Sequence, residues 1–104
     1  MPKKRLISIV SPAFNEEKNL AKIANEVAKV MNVLKNFDYE YIIVDDGSTD
    51  NTWGEITRIA KLNKKVRGIR LTRNFGQQIA ITAGIDMAKG DAVIYCDSDL
   101  QHPP

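Results

Sequence analysis

Two carboxylates one residue apart, in the run Asp97-Ser98-Asp99-Leu100-Gln101, follow directly on an apolar stretch. At positions i and i+2 of a loop both side chains can turn toward one point, and with the Gln101 side-chain oxygen they make three hard oxygen ligands. Such a set suits Mg²⁺ or Mn²⁺, which is held by one or two carboxylates while water and a substrate phosphate complete the shell. Asp97 and Asp99 would serve equally as turn and cap residues, and it is their company that favours the ligand reading. Asp45-Asp46-Gly47-Ser48-Thr49-Asp50 puts two more carboxylates after another apolar run. Acceptor-only side chains there can take hydrogen bonds from a base N–H or a ribose hydroxyl, and Gly47 permits the positive φ of a tight turn. The alternative for Asp45 and Asp46 is simply to complement a helix N-terminus.

A third segment, Ser11-Pro12-Ala13-Phe14-Asn15-Glu16, joins a strand to a helix without any glycine. It offers Pro12 for stiffness, Phe14 as an aromatic face, and Asn15 and Glu16 as polar groups at a helix start. An aromatic plane beside carboxylates suits a nucleoside, with the phosphates left to a metal, so no Gly-rich turn is needed to cradle a pyrophosphate. Phe14 as core and Glu16 as a helix-start charge is the plainer alternative. In Arg73-Asn74-Phe75-Gly76-Gln77 the guanidinium could fork onto a carboxylate or phosphate, Asn74 is a plausible N-cap, and a purely structural role is open as well. His102, alone before two prolines, reads as part of an extended tail.

These segments must be positioned by the elements between them. Residues 6–10, 39–44, 66–71 and 92–96 are short β-rich runs, mostly apolar on both faces, which predicts strands covered from two sides. Leu20, Ile23, Ala24, Val27, Ala28, Met31 and Leu34 draw one apolar stripe along a helix over about residues 16–35. Trp53, Ile56, Ile59 and Ala60 mark a second helix of about three turns, with Ser48, Thr49 and Asp50 as candidate N-caps. A third spans residues 75–88 and stops at Lys89-Gly90; its small face of Ala80, Ala83 and Gly84 predicts close approach to the sheet. The order βαβαβαβ predicts a parallel sheet with helices on both faces and right-handed crossovers. Ligands of such sheets sit beyond the carboxyl ends of the strands, at the switch in strand order, and all four chemical segments follow strands.

Composition narrows the classes further. The 104 residues suit one globular domain, 43% hydrophobic and 27% charged, and a net charge of +2 from 15 basic and 13 acidic residues argues against nucleic acid as partner. The basic residues are spread and read as solvated surface, with weak attraction to anionic lipid as the alternative. The single cysteine, Cys96, excludes an internal disulfide and reads as a reduced, buried thiol. That fits a cytoplasmic compartment. No run reaches the roughly 18 apolar residues of a membrane span, and the start is too short in its apolar part for a signal peptide.

Taken in order and spacing, SPAFNEEKNL, VDDGSTDNTW, LTRNFGQQIAITAGIDMAKGD and DSDLQHPP resemble the amino-terminal half of the family 2 glycosyltransferases of GT-A fold. Within that family the similarity is greatest to the polyprenyl-phosphate sugar transferases, the dolichol-phosphate mannose synthase and bactoprenol glucosyltransferase group. The resemblance runs from Leu6 to Pro104. It implies a three-layer α/β fold with a mostly parallel, Rossmann-like sheet. It also implies that Pro12, Phe14 and Glu16 bind the nucleotide, that Asp46 contacts the base, and that Asp45 supports that loop. Phe14 stands where tyrosine is more usual, which keeps the stacking face and loses a hydroxyl. Asp97, Ser98 and Asp99 would form the D-x-D segment that meets ribose, diphosphate and Mg²⁺ or Mn²⁺, with Gln101 joining the metal shell; Arg73 and Gln77 would lie near the donor pocket.

The implied activity is transfer of a hexose, with inversion, from a UDP- or GDP-sugar. A lipid phosphate acceptor would need no general base, whereas a glycan hydroxyl would need a carboxylate base, and the catalytic residue is not identified by these motifs. Members of the family continue well past the D-x-D segment, so the chain is expected to be the first part of a larger enzyme at the cytoplasmic face of a membrane, inactive alone. A non-catalytic nucleotide-binding or assembly module is the alternative. Phosphatases and receivers, which place their acidic motif after the first strand, fit less well. A fourth strand left as a sheet edge also predicts self-association.

Overall fold

The computed structural model describes residues 4–97 and contains four strands and three helices in strict alternation. β1 (Arg5–Ala13), β2 (Phe37–Asp45), β3 (Val66–Arg70) and β4 (Ala92–Tyr95) form one sheet in the order β3-β2-β1-β4, with every pair parallel. α1 (Leu20–Val33) and α2 (Thr52–Leu62) make the β1-to-β2 and β2-to-β3 crossovers, whereas α3 (Gln77–Met87) carries the chain back across β2 and β1 to β4. Strand order therefore reverses between β1 and β4, the point at which a crevice opens beyond the strand ends.

Alternation along the two central strands divides the core into two layers. Ile7, Ile9, Tyr39, Tyr41 and Ile43 face α1 and α2, where they meet Leu20, Ile23, Val27, Met31, Ile56 and Ile59. Val10, Ile42 and Val44 face α3 and pack on Ala80, with Ala83 and Ala88 beside it. The expected close seat of α3 is present: a Cβ on Gly84 would lie 2.3 Å from Val10 Cγ1 and 3.1 Å from Val44 Cγ2.

Coverage from two sides holds for β1 and β2 but not for the outer strands. All four residues of β4 are exposed, and in β3 only Val66 is buried. Among the described residues both lie at the sides of the sheet, and α3 seats mainly on β1 and β2, reaching β3 only through Ile69 and the Arg67 bond to the Met87 carbonyl. Cys96, just past β4, is accordingly a half-buried free thiol, not the buried one expected.

The helix boundaries differ from expectation by a few residues. α1 is regular from Leu20, but the turn leading into it starts at Glu16, whose carbonyl accepts Asn19 N–H (3.0 Å) and Leu20 N–H (3.2 Å) while its own N–H donates to Thr52 Oγ1 (2.9 Å). α3 begins at Gln77 after Gly76, and Asn74 is not its cap. It ends at Met87, two residues before Lys89-Gly90, whose N–H groups go to Glu40 Oε2 (2.7 Å) and Ser8 Oγ (2.8 Å). Of the candidate caps for α2, Asp50 accepts the Thr52 N–H at 2.9 Å, one residue ahead of the boundary residue Asn51.

Candidate functional site

Beyond the carboxyl ends of β1 and β4 lies an open cavity of about 220 Å³. The turn after β1 supplies Pro12, Ala13, Phe14 and Glu16; Asp46 enters from β2, Gln77 from the start of α3 and Asp97 from beyond β4. Pro12 is tolerated in a central strand because the β1–β4 ladder ends at Val10 with Tyr95, so its missing N–H breaks no pairing on that side. Phe14 is 45% exposed and is therefore an open aromatic face, not core.

The walls are fixed by bonds between loops. Asn15 adopts φ 54°, a conformation Asn tolerates, and its Oδ1 accepts N–H bonds from Thr49 (2.8 Å) and Asp50 (3.3 Å). Its own N–H donates to Ser48 Oγ at 2.9 Å, so Asn15 staples the first loop to the second. Asp45, fully buried, accepts the Ser48 N–H at 2.9 Å and shapes the turn at Gly47, whose φ is 72°. Asp46 is 4% exposed; its Oδ1 accepts Phe75 N–H at 2.8 Å and its Oδ2 accepts Gly76 N–H at 3.2 Å. One carboxylate thus reaches both the cavity and the segment that leads into α3, which is why Asn74 is not needed as a cap.

Burial raises the Asp50 carboxyl's proton affinity, but the Thr52 hydroxyl and the Thr52 and Glu17 N–H groups outweigh it and hold the group below the usual range. Tyr95, at the end of β4, is pushed up first by burial and then by the Asp97 charge, and its hydroxyl accepts a hydrogen bond from Gln77 Nε2.

Of the sequence-derived site residues, Pro12, Phe14, Glu16, Asp46, Gln77 and Asp97 are brought together around one cavity, with Asp45 directly behind it. Arg73 is not on its wall; the guanidinium lies 4.5 Å from the centre of the Phe75 ring. Ser98, Asp99 and Gln101 lie outside the described residues. Among the described residues no group of three His, Cys, Asp or Glu side chains is placed to hold a metal ion. Glu16, Asp46 and Asp97 on the cavity wall offer carboxylate oxygens, the donor type that a hard cation takes. No helix among the described residues is long and apolar enough to cross a membrane.

Residue reasoning missed the stapling by Asn15 and the buried hydroxyls of Ser11, Tyr41 and Thr52. The signal was a polar group within or next to an apolar run: Tyr41 lies inside 39–44 and Ser11 directly follows 6–10.

Known proteins share this sequence and fold. The sequence model described as Glycosyl transferase family 2 matches residues 8–104. A Synechocystis protein named as an uncharacterized glycosyltransferase is 45% identical over 98 residues, which cover 94% of this chain and 30% of the relative. An undecaprenyl-phosphate 4-deoxy-4-formamido-L-arabinose transferase of Aeromonas hydrophila is 43% identical over 101 residues, 96% of this chain and 31% of the relative. The chain thus spans about 30% of the length of the curated relatives it matches. Among solved structures, S. aureus TarS in complex with UDP superposes with a TM-score of 0.72 at 28% identity, over 93% of this chain and 28% of that one. Glucosyl-3-phosphoglycerate synthase of Mycobacterium tuberculosis, solved with Mn²⁺, UDP and glucosyl-3-phosphoglycerate, gives 0.68 at 27% identity, over 95% and 35%.

Proposed function

The chain belongs to glycosyl transferase family 2, and on that premise we propose that residues 1–104 form the nucleotide-sugar-binding part of a hexosyltransferase. The observation that carries this reading is the cavity at the β1/β4 switch point, with an open aromatic ring and three carboxylates on its wall. Phe14 packs on the base, Pro12 stiffens the turn that presents it, and Glu16 faces the nucleotide. Asp46 has acceptor capacity left beyond its two backbone bonds, since each carboxylate oxygen carries two lone pairs, and takes a base N–H. Asp45 holds that loop, Gln77 borders the sugar side, and Arg73 supports Phe75 from behind.

Asp97, Asp99 and Gln101 would hold Mg²⁺ or Mn²⁺, with Ser98 as a further donor-binding residue; the neighbour solved with Mn²⁺ and UDP supports a divalent cation at such a site. The bound cation supplies neutralisation of charge on the departing diphosphate. Relatives named as undecaprenyl-phosphate sugar transferases support a polyprenyl phosphate acceptor. Its phosphate oxygen is already a nucleophile, so displacement at the anomeric carbon, with inversion, requires no general base. A lipid acceptor places the reaction at a membrane surface, here the cytoplasmic face. Because this stretch matches about 30% of those relatives, turnover by it alone is expected to be slight.

Calorimetric titration with UDP and with GDP, each in Mn²⁺ and in EDTA, tests the reading. Metal-dependent binding of one nucleotide that is lost in Asp97→Ala is expected. Binding of equal strength with and without metal, unchanged by Asp97→Ala, would overturn it.

A further inference from the structure

β4 carries Asp97 to the site, and polar contacts with β1 fix both of its ends. Two chains of hydrogen bonds run from β2 through a serine of β1 to the two ends of β4. At the entry, Ser8 Oγ donates to Glu40 Oε2 (2.6 Å) and accepts Gly90 N–H (2.8 Å). At the exit, Tyr41 Oη donates to Ser11 Oγ (2.9 Å), and Ser11 Oγ donates to the Cys96 carbonyl, one residue before Asp97.

The exit chain has a fixed direction. Tyr41 and Ser11 are fully buried, and burial pushes the Tyr41 hydroxyl up, so it stays a neutral donor. A serine has one proton; with the Tyr41 proton filling one of its lone pairs, that proton goes to Cys96. The Cys96 N–H donates in turn to the Val10 carbonyl at 2.9 Å, so both backbone polar groups of Cys96 are tied to β1. Both hydroxyls are fully buried and each has its partner within this chain of bonds.

We propose that Ser11 and Tyr41 are positioning residues that hold the backbone at Cys96 and so aim Asp97 at the cavity. The value of that aim for metal and nucleotide rests on the function proposed above; the anchoring itself does not.

Four variants test it in this chain: Ser11→Ala, Tyr41→Phe, the double variant, and Ser11→Thr, which restores the hydroxyl. The first readout is amide hydrogen exchange. In Ser11→Ala and in the double variant the Cys96 amide should exchange about ten-fold faster, relative to the Ile43 amide of β2, as expected when a buried hydrogen bond is lost locally. Ser11→Thr should return it toward the parent. The double variant removes donor and acceptor together and should keep most of the global stability, which separates aiming from folding. If the Cys96 and Ile43 amides accelerate by the same factor in every variant, the anchoring is refuted. The second readout is UDP affinity in Mn²⁺ and in EDTA, with Asp97→Ala alongside. Loss in Asp97→Ala together with full retention in the double variant would refute the aiming and spare the functional reading. Absence of a metal-dependent component in the parent would count against the functional reading, and the exchange arm would still decide the anchoring.

Discussion

Replacing Gly47 by alanine perturbs the joint between the second and third loops in two ways at once. Its φ of 72° is left-handed, which costs a residue with a Cβ about 1–2 kcal/mol. The added Cβ would also lie 2.3 Å from the Arg73 carbonyl carbon and 2.3 Å from the Asn74 nitrogen. These are backbone atoms, so no rotamer change relieves the contact, and overpacking of this kind adds about 1–3 kcal/mol. The sum is about 2–5 kcal/mol. Urea unfolding at equal slope measures the loss, and at about 4–8 °C per kcal/mol for a domain of this size the melting curve should shift accordingly. A Gly47→Ala loss no larger than the roughly 1–2 kcal/mol of its left-handed φ would refute the claim that these loops are in direct backbone contact.

Glu40 is drawn upward by burial, but the Lys89 N–H, the Ser8 hydroxyl and Arg67 hold its carboxyl below 4.5 on balance. Its contribution is thus present above pH 4.5 and lost as pH falls through the lowered value. Glu40→Gln should cost about 1.5 kcal/mol or more at pH 7, the worth of a bond to a charged acceptor, and the gap to the parent should close in acid; a pH-independent gap would count against the linkage. Gly84→Ala gains about 1 kcal/mol in helix propensity but meets Val10 at 2.3 Å, so a net loss in thermal stability is expected, and a gain would mean that α3 lifts freely from the sheet. For the 104 residues taken alone, the exposed side chains of Val93, Ile94 and Tyr95 predict self-association; a monodisperse monomer in sedimentation at high concentration would contradict it.

The alternation of strands and helices, the parallel sheet and the family were legible because they depend on local signals. The stripe of Leu20, Ile23, Ala24, Val27 and Met31 is a period of 3.6 whatever surrounds it, and the apolar runs around Val10 and Ile42 leave few alternatives to buried strands. The site residues were legible for a related reason: carboxylates and an aromatic directly after strands mark the rim of an open α/β sheet before its strand order is known. What local pattern could not determine was partnership at a distance. Asp46 holding the N–H groups of Phe75 and Gly76, Asn15 stapled to Thr49 and Asp50, and Ser11 linking Tyr41 to Cys96 join residues 29 to 85 positions apart. Such bonds form only after the strand order β3-β2-β1-β4 has brought the loops together. Residue types and spacing determined which groups could do chemistry; the order of strands alone decided which of them meet, because a hydrogen bond depends on distance in space and not along the chain.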